Sequence, residues 1–369
     1  MEKTTRPLPK LGWAYKHAVA RTRYLVSLFL FLFLLVMPIA LLIIGKDNYL
    51  ANTAPNPFSS ADYGPHLNGV LLPLHAILGL LSAVYVYFLG GTHFNYLYRR
   101  NVIDREESLP FSRDTQFWGR TLAHFSELFI VFFVNALLTG VILSYWGFGH
   151  DFAAYLPLYL RLFLSTLELT GFSLVLFSLS GTLFDAVLLN LAIQGTWIVS
   201  VLQILNLTER LHDTPSDLIW FLAPASRFFS AIVWPHSVLQ TVAMIIFWTV
   251  SAWLCFRKSP AEYAAVRNGQ LSWYPWLQPL FSMFSGLSLG HFIFLLFDPN
   301  VAYLSPLRSP AFYIGYFIGL VLGQWLSSVV MGKPIRKEFF RKELPLCLLG
   351  IVFFIVIAGL ARLFIPRAY

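Results

Sequence analysis

The residues in this chain that could do chemistry are few and mostly embedded in apolar surroundings. His124 and Glu127 stand three apart, on one face of a helix, inside an otherwise apolar run. Arg161 and Glu168 are seven apart, hence two helical turns along one face, and Asp185, Asn190 and Gln194 mark another apolar run. A polar group in such a run is costly, so each is a candidate for a substrate path, a proton site or an interhelical hydrogen bond. The bland alternatives are specific: His124 and Glu127 as an interhelical hydrogen-bonding pair, Arg161 snorkelling to the outer surface, Asp185 capping a helix. Glu168, the deepest acid, is expected to face the bundle interior or a partner helix. No metal site is expected, because His93, His124, His150, His212, His236 and His291 are scattered without H-x-x-x-H or H-E-x-x-H spacing. No catalytic residue is assigned. Neither Gly45-Lys46 nor Gly332-Lys333 belongs to a phosphate-binding loop: no Ser or Thr follows, and the upstream glycine is missing.

The other polar concentration is Tyr98–Arg120, YRRNVIDREESLPFSRDTQFWGR, with five basic and four acidic side chains in 23 residues. Pro110 should stop a first segment and Ser112 should cap the helix that follows, with Asp114 favourable in its first turn. A helix–break–helix bend with its charges in water is expected, a short docking helix at the membrane surface. A solvated loop is the plainer reading.

What positions these groups is a set of long apolar runs. Of the 369 residues, 57% are hydrophobic and 12% charged, and the mean hydropathy is +0.66; soluble domains carry about 25% charged residues. Runs of about 20 apolar residues cross the hydrocarbon as helices, which satisfy their own backbone hydrogen bonds, so the fold class is all-α, a polytopic transmembrane helical bundle. About nine spans are expected, at 24–44, 70–91, 121–146, 158–180, 184–206, 237–256, 279–297, 310–331 and 345–364. Three regions follow: a cytoplasmic amphipathic N-terminal segment at 1–23, a transmembrane domain at 24–364 with a cytoplasmic segment at 92–120, and a C-terminal tail at 365–369.

Residues 1–23 carry Lys3, Arg6, Lys10, Lys16, Arg21 and Arg23 against Glu2, which keeps the N-terminus in the cytoplasm. Leu11, Trp13, Ala14 and Ala18 recur at near-helical spacing, which suits an interfacial amphipathic helix ahead of the first span. The loops 45–69, 147–157, 207–236 and 298–309 then lie outside, whereas 92–120, 181–183, 257–278 and 332–344 lie inside, where Lys and Arg concentrate as the positive-inside rule requires. The net charge of +8 is used at span ends and on anionic membrane lipids, not on nucleic acid. Cys255 and Cys347, at or near cytoplasmic ends, read as free thiols, and the first apolar run is too long for a cleavable signal.

Three short stretches resemble one family. ESLPFSRDTQFWGR (Glu107–Arg120) looks like the "SLP-x-SR" segment after the second span of ABC-2-type transporter permeases of the Ytr-like bacterial group. LSGTLFDAVLLN (Leu179–Asn190) is similar to their tight inner turn. RKSPAEYAAVRNG (Arg257–Gly269) is similar to the segment after their sixth span, before a Pro-containing re-entry as at Trp276–Pro279. The chain departs in an extra Pro260-Ala261 and in Ala264 or Ala265 where a glycine is usual.

The resemblance implies a non-catalytic permease subunit of an ABC exporter in the bacterial cytoplasmic membrane. Its partners would be a second permease, identical or different, and cytoplasmic ABC ATPase subunits that bind ATP and Mg, with no cofactor in this chain. The substrate would be amphipathic: an antimicrobial peptide, a drug or a lipid-like compound. Asn101–Arg120 would contain the coupling helix, with Asp104, Glu106, Glu107 and Arg113 making polar contacts with the ATPase and Leu109, Phe111 and Phe117 its apolar anchor. Two other classes stay open: a proton-coupled secondary transporter using Glu168 or Glu127, and a membrane-embedded enzyme.

Overall fold

In a computed structural model, the chain is described at residues 11–51, 70–98, 112–180, 237–258, 274–297 and 309–330, with isolated positions from 183 to 193 and at 345. All regular structure among these residues is helical. Most of the fifth and ninth expected spans, the 365–369 tail, Asp104, Glu106, Glu107, Leu109, Phe111, Asp185, Gln194 and Cys347 lie outside the described residues, whereas Asn190 is described and fully buried. The chain divides into two units, one formed by 1–183 with 226–265 and the other by 184–225 with 266–369.

The first unit opens with α1 (Leu11–Leu34), a π-turn (Leu35–Ile39) and α2 (Ala40–Ala51). Gly45, at φ +74°, kinks α2. Helix α3 (Leu71–Phe94) closes in a 3-10 turn, Asn95–Tyr98; α4 (Arg113–Tyr145), α5 (Gly149–Leu179) and α6 (Val238–Lys258) follow. Five stretches here are long and apolar enough to cross a membrane: Leu11–Leu50, Pro73–Leu97, Arg113–Tyr145, Gly149–Leu179 and Val238–Lys258. Their outward faces are apolar, as on α4, where Phe129, Ile130, Phe133, Leu137 and Val141 are exposed, the surface lipid requires.

Four boundaries differ from the sequence expectation, for one physical reason: a helix continues where hydropathy stops if packing and backbone bonding allow it. Residues 11–23 do not form a separate interfacial helix but are the first turns of α1. Ala14 and Ala18 are buried there, and a Cβ added to Gly119 of α4 would lie 2.6 Å from that of Ala14, so the two backbones touch. Residues 113–120 are likewise continuous with the following span in one 33-residue helix, about 50 Å long against about 30 Å of hydrocarbon. Together α1 and α4 form a stalk that outlasts the apolar run.

The outer loop expected at 147–157 is instead a tight turn. Gly147, at φ +89°, lets Phe148 N–H reach Leu143 O at 2.7 Å and Gly147 N–H reach Ser144 O at 3.0 Å, the paired bonds of a Schellman cap. Helix α5 then runs through Pro157, which is exposed. The Pro-containing re-entry expected at Trp276–Pro279 is also helix, the first turns of α7 (Tyr274–Phe297).

The second unit contains α7 and α8 (Pro310–Val330). Gly286 and Gly290 of α7 face Gly315 and Gly319 of α8: added Cβ atoms would lie 2.9 Å from Phe312 O at Gly290 and 2.4 Å from Ser285 O at Gly319. Two G-x-x-x-G stripes thus cross backbone on backbone, and Ser282 Oγ donates to Gln324 Oε1 at 2.8 Å nearby.

The buried Glu127 cluster and the root of the charged segment

The expected N-cap is present. Ser112 is extended, its Oγ accepts the Thr115 N–H at 3.1 Å, and Asp114 occupies the first turn of α4. Arg113 is partly exposed. Asp114 Oδ1 accepts from Trp253 Nε1 of α6 at 2.9 Å, which ties the start of α4 to a third helix.

Phe117, expected as an anchor for a partner, is fully buried and packs within the chain. Its ring centroid lies 5.3 Å from Phe256 and 6.3 Å from Phe94. Arg120 is also turned inward rather than to water. Its Nη1 donates to His93 O, at the end of α3, at 2.8 Å, and its guanidinium lies 3.4 Å from the centroid of the Tyr96 ring. Both ends of the charged segment 99–111 are therefore fastened to each other. A charge-assisted bond to a backbone carbonyl and a cation–π contact hold α3 to α4, and aromatic packing adds α6.

Two turns deeper than Arg120, Glu127 is 2% exposed. Its Oε2 lies 3.0 Å from His93 Nε2 of α3, and its Oε1 takes a hydrogen bond from Thr22 of α1. The interhelical hydrogen bonding open to His124 and Glu127 is present at Glu127, whose long side chain reaches past its own helix face to two other helices. His124 is 0% exposed, its ring 5.6 Å from that of His93, and neither of its nitrogens has a hydrogen-bond partner among the described residues. The buried hydroxyl of Tyr85 also lacks one. Tyr15 on α1 and Ser126 on α4 share a hydrogen bond of 3.0 Å beside the cluster.

Toward the other end of the bundle further polar contacts join the helices. Pro38 has no N–H, so in the i→i+5 register of the π-turn the Phe33 carbonyl loses its donor; Asn135 Nδ2 supplies one at 2.6 Å. Tyr159 donates to Phe132 O at 2.7 Å and reaches Asn135 Oδ1 at 3.1 Å. His75 Nδ1 meets Tyr155 Oη at 2.8 Å, and Tyr49 donates to Asp151 Oδ2 at 3.0 Å. Glu168 is fully buried on α5, as expected of a residue facing the interior, and Arg161 is partly exposed.

No group of three or more His, Cys, Asp or Glu suited to a metal ion occurs among the described residues. Gly286-Leu287-Ser288-Leu289-Gly290 spells G-x-S-x-G. A nucleophile elbow needs a sharp strand-to-helix turn, whereas this pentapeptide lies mid-helix in α7 and its glycines seat α8. Comparison with known proteins adds no relative: no family model, no curated protein and no solved structure matches the chain.

Proposed function

We propose that this chain is the membrane-spanning permease subunit of an ATP-driven ABC transporter of the ABC-2 type. It extrudes an amphipathic substrate such as an antimicrobial peptide, a drug or a lipid-like compound, and it sits in the bacterial cytoplasmic membrane with its N-terminus in the cytoplasm. Separate cytoplasmic ATPases bind ATP and Mg and grip the segment 99–113, and a second permease, identical or different, completes the path. The observation that carries the reading is the root of that segment. A push delivered between Asn101 and Arg113 reaches α3 through Arg120 and His93 O, and α6 through Asp114 and Trp253. A solvated loop would have no need of such fastening.

Asp104, Glu106, Glu107, Leu109, Phe111 and Arg113 remain the contact residues in this reading, and Phe117 becomes part of the lever. The test is a gentle-detergent pull-down from the native host, with the native chain and with Leu109→Asp plus Arg113→Glu. An ATPase that accompanies the native chain and is lost with the double substitution supports the reading; absence of any ATPase from folded native chain ends it. The burial of Glu127 favours a second reading, a proton-coupled secondary transporter, which requires transport without an ATPase.

A further inference from the structure

The geometry points to a proton-binding site at Glu127 and His93, closed by Thr22, where one proton is exchanged whenever α1 parts from α3 and α4. The inference does not depend on which energy source drives the protein. It starts from composition. Glu127 is the carboxylate of this pocket, and its oxygens are met by a hydroxyl and an imidazole, not by a fixed cation. The nearby guanidinium of Arg120 is committed to the His93 carbonyl and the Tyr96 ring. A carboxyl and an imidazole 3.0 Å apart and out of water are both uncharged only when the one proton they hold between them sits on the carboxyl.

The surroundings are made of groups that carry protons. Thr22 and Arg21 come from α1, Tyr85 and His93 from α3, Arg120 and His124 from α4. Buried polar atoms without partners are rare and call for an explanation. Three lie at this site: both nitrogens of His124, on the helix face of Glu127, and the hydroxyl of Tyr85. A rigid structural network would satisfy them. A site whose proton and hydrogen bonds rearrange needs such spare positions.

The only α1 group bonded to Glu127 among the described residues is Thr22, a single hydroxyl at the level where the stalk meets the apolar run. Separation of α1 removes that donor and opens the pair to water, so the carboxyl trades its shared proton with the cytoplasmic solvent. When α1 returns, the pair closes neutral again. Apart from that O–H exchange no covalent bond forms or breaks.

The test uses purified full-length chain in lipid nanodiscs and infrared spectra recorded through a pH titration. The expected result is a carboxyl C=O band that titrates, shifts in deuterated water and is lost in Glu127→Gln, while Glu168→Gln retains it. Hydrogen–deuterium exchange over residues 14–26, corrected for intrinsic exchange, should change with pH by one proton in the native chain and lose that dependence in Glu127→Gln. Either of two results overturns the proposal: native chain without a titrating carboxyl band, or a band and an exchange profile that Glu127→Gln leaves unchanged. The first needs no variant to fold.

Discussion

Gly119→Ala should loosen the stalk, and the effect can be worked from the contact. The added Cβ would lie 2.6 Å from Ala14 Cβ and 3.1 Å from both Ala14 C and Tyr15 N, whereas carbon atoms in contact sit about 3.5–4.0 Å apart. Two of the three obstructing atoms are backbone, so no rotamer change relieves them and α1 must retreat by about 1 Å. The Tyr15–Ser126 hydrogen bond, now 3.0 Å, then passes out of range at a cost of about 1 kcal/mol. Overpacking adds about 1–3 kcal/mol, and the helix preference of Ala over Gly returns about 0.5–1 kcal/mol. The net expectation is a loss of about 1–3 kcal/mol. Gly12→Ala is the control: nothing lies within 4 Å of its added Cβ, so the same substitution on α1, two residues before Ala14, should be neutral or stabilising. The assay is the melting midpoint in one detergent at one scan rate, paired with trypsin cleavage at Lys16, Arg21 and Arg23. A Gly119→Ala chain that melts and resists trypsin like the Gly12→Ala chain would refute the reasoning.

Three further outcomes are expected. Asn135→Leu should lower stability by about 1–3 kcal/mol, because the Phe33 carbonyl and the Tyr159 hydroxyl both lose a buried partner; an unchanged melting midpoint counts against the π-turn account. Ser112→Ala should remove about 1 kcal/mol of capping and speed hydrogen exchange in the first turn of α4, with protection beyond Arg120 retained; equal exchange at Thr115 and Gln116 would contradict the cap. Gly319→Leu should separate α7 from α8, because its Cβ alone would stand 2.4 Å from Ser285 O. A cysteine pair placed across that crossing should then cease to form a disulfide, and undiminished cross-linking would contradict the close approach.

The spans that sequence places best are the ones bounded by composition alone. Helices α3, α6 and α8 start and stop within a few residues of their apolar runs. By contrast, α1, α4 and α5 extend past theirs, and the cause is tertiary: Ala14 against Gly119, Arg120 against Tyr96, and a glycine cap that leaves three residues to turn the chain. Glu127 and His124 stand out in the sequence because a charge in an apolar run is conspicuous. Thr22 and His93 do not, since a threonine is unremarkable at a span end and the pairing joins positions 105 and 34 residues apart. Phe117 reads as a free anchor until Phe94 and Phe256 are seen around it. The G-x-x-x-G stripes at Gly286–Gly290 and Gly315–Gly319 were available in the sequence, and their spacing on two neighbouring apolar helices is the signal that finds them.

Four long-range polar bonds of the first helical run reach far ahead along the chain: Tyr15 to Ser126, Thr22 to Glu127, Phe33 to Asn135, Tyr49 to Asp151. Each spans more than 100 residues. At a synthesis rate of about 5–20 residues per second, these groups leave the ribosome roughly 5–20 seconds before the residues that satisfy them. During that interval the first helix has its proline π-turn and Thr22 in the bilayer without α4 or α5 to meet them. Biogenesis of this chain therefore includes a waiting period in which the first helix must be sheltered by the insertion machinery, and variants that slow the emergence of α4 should be degraded before they fold.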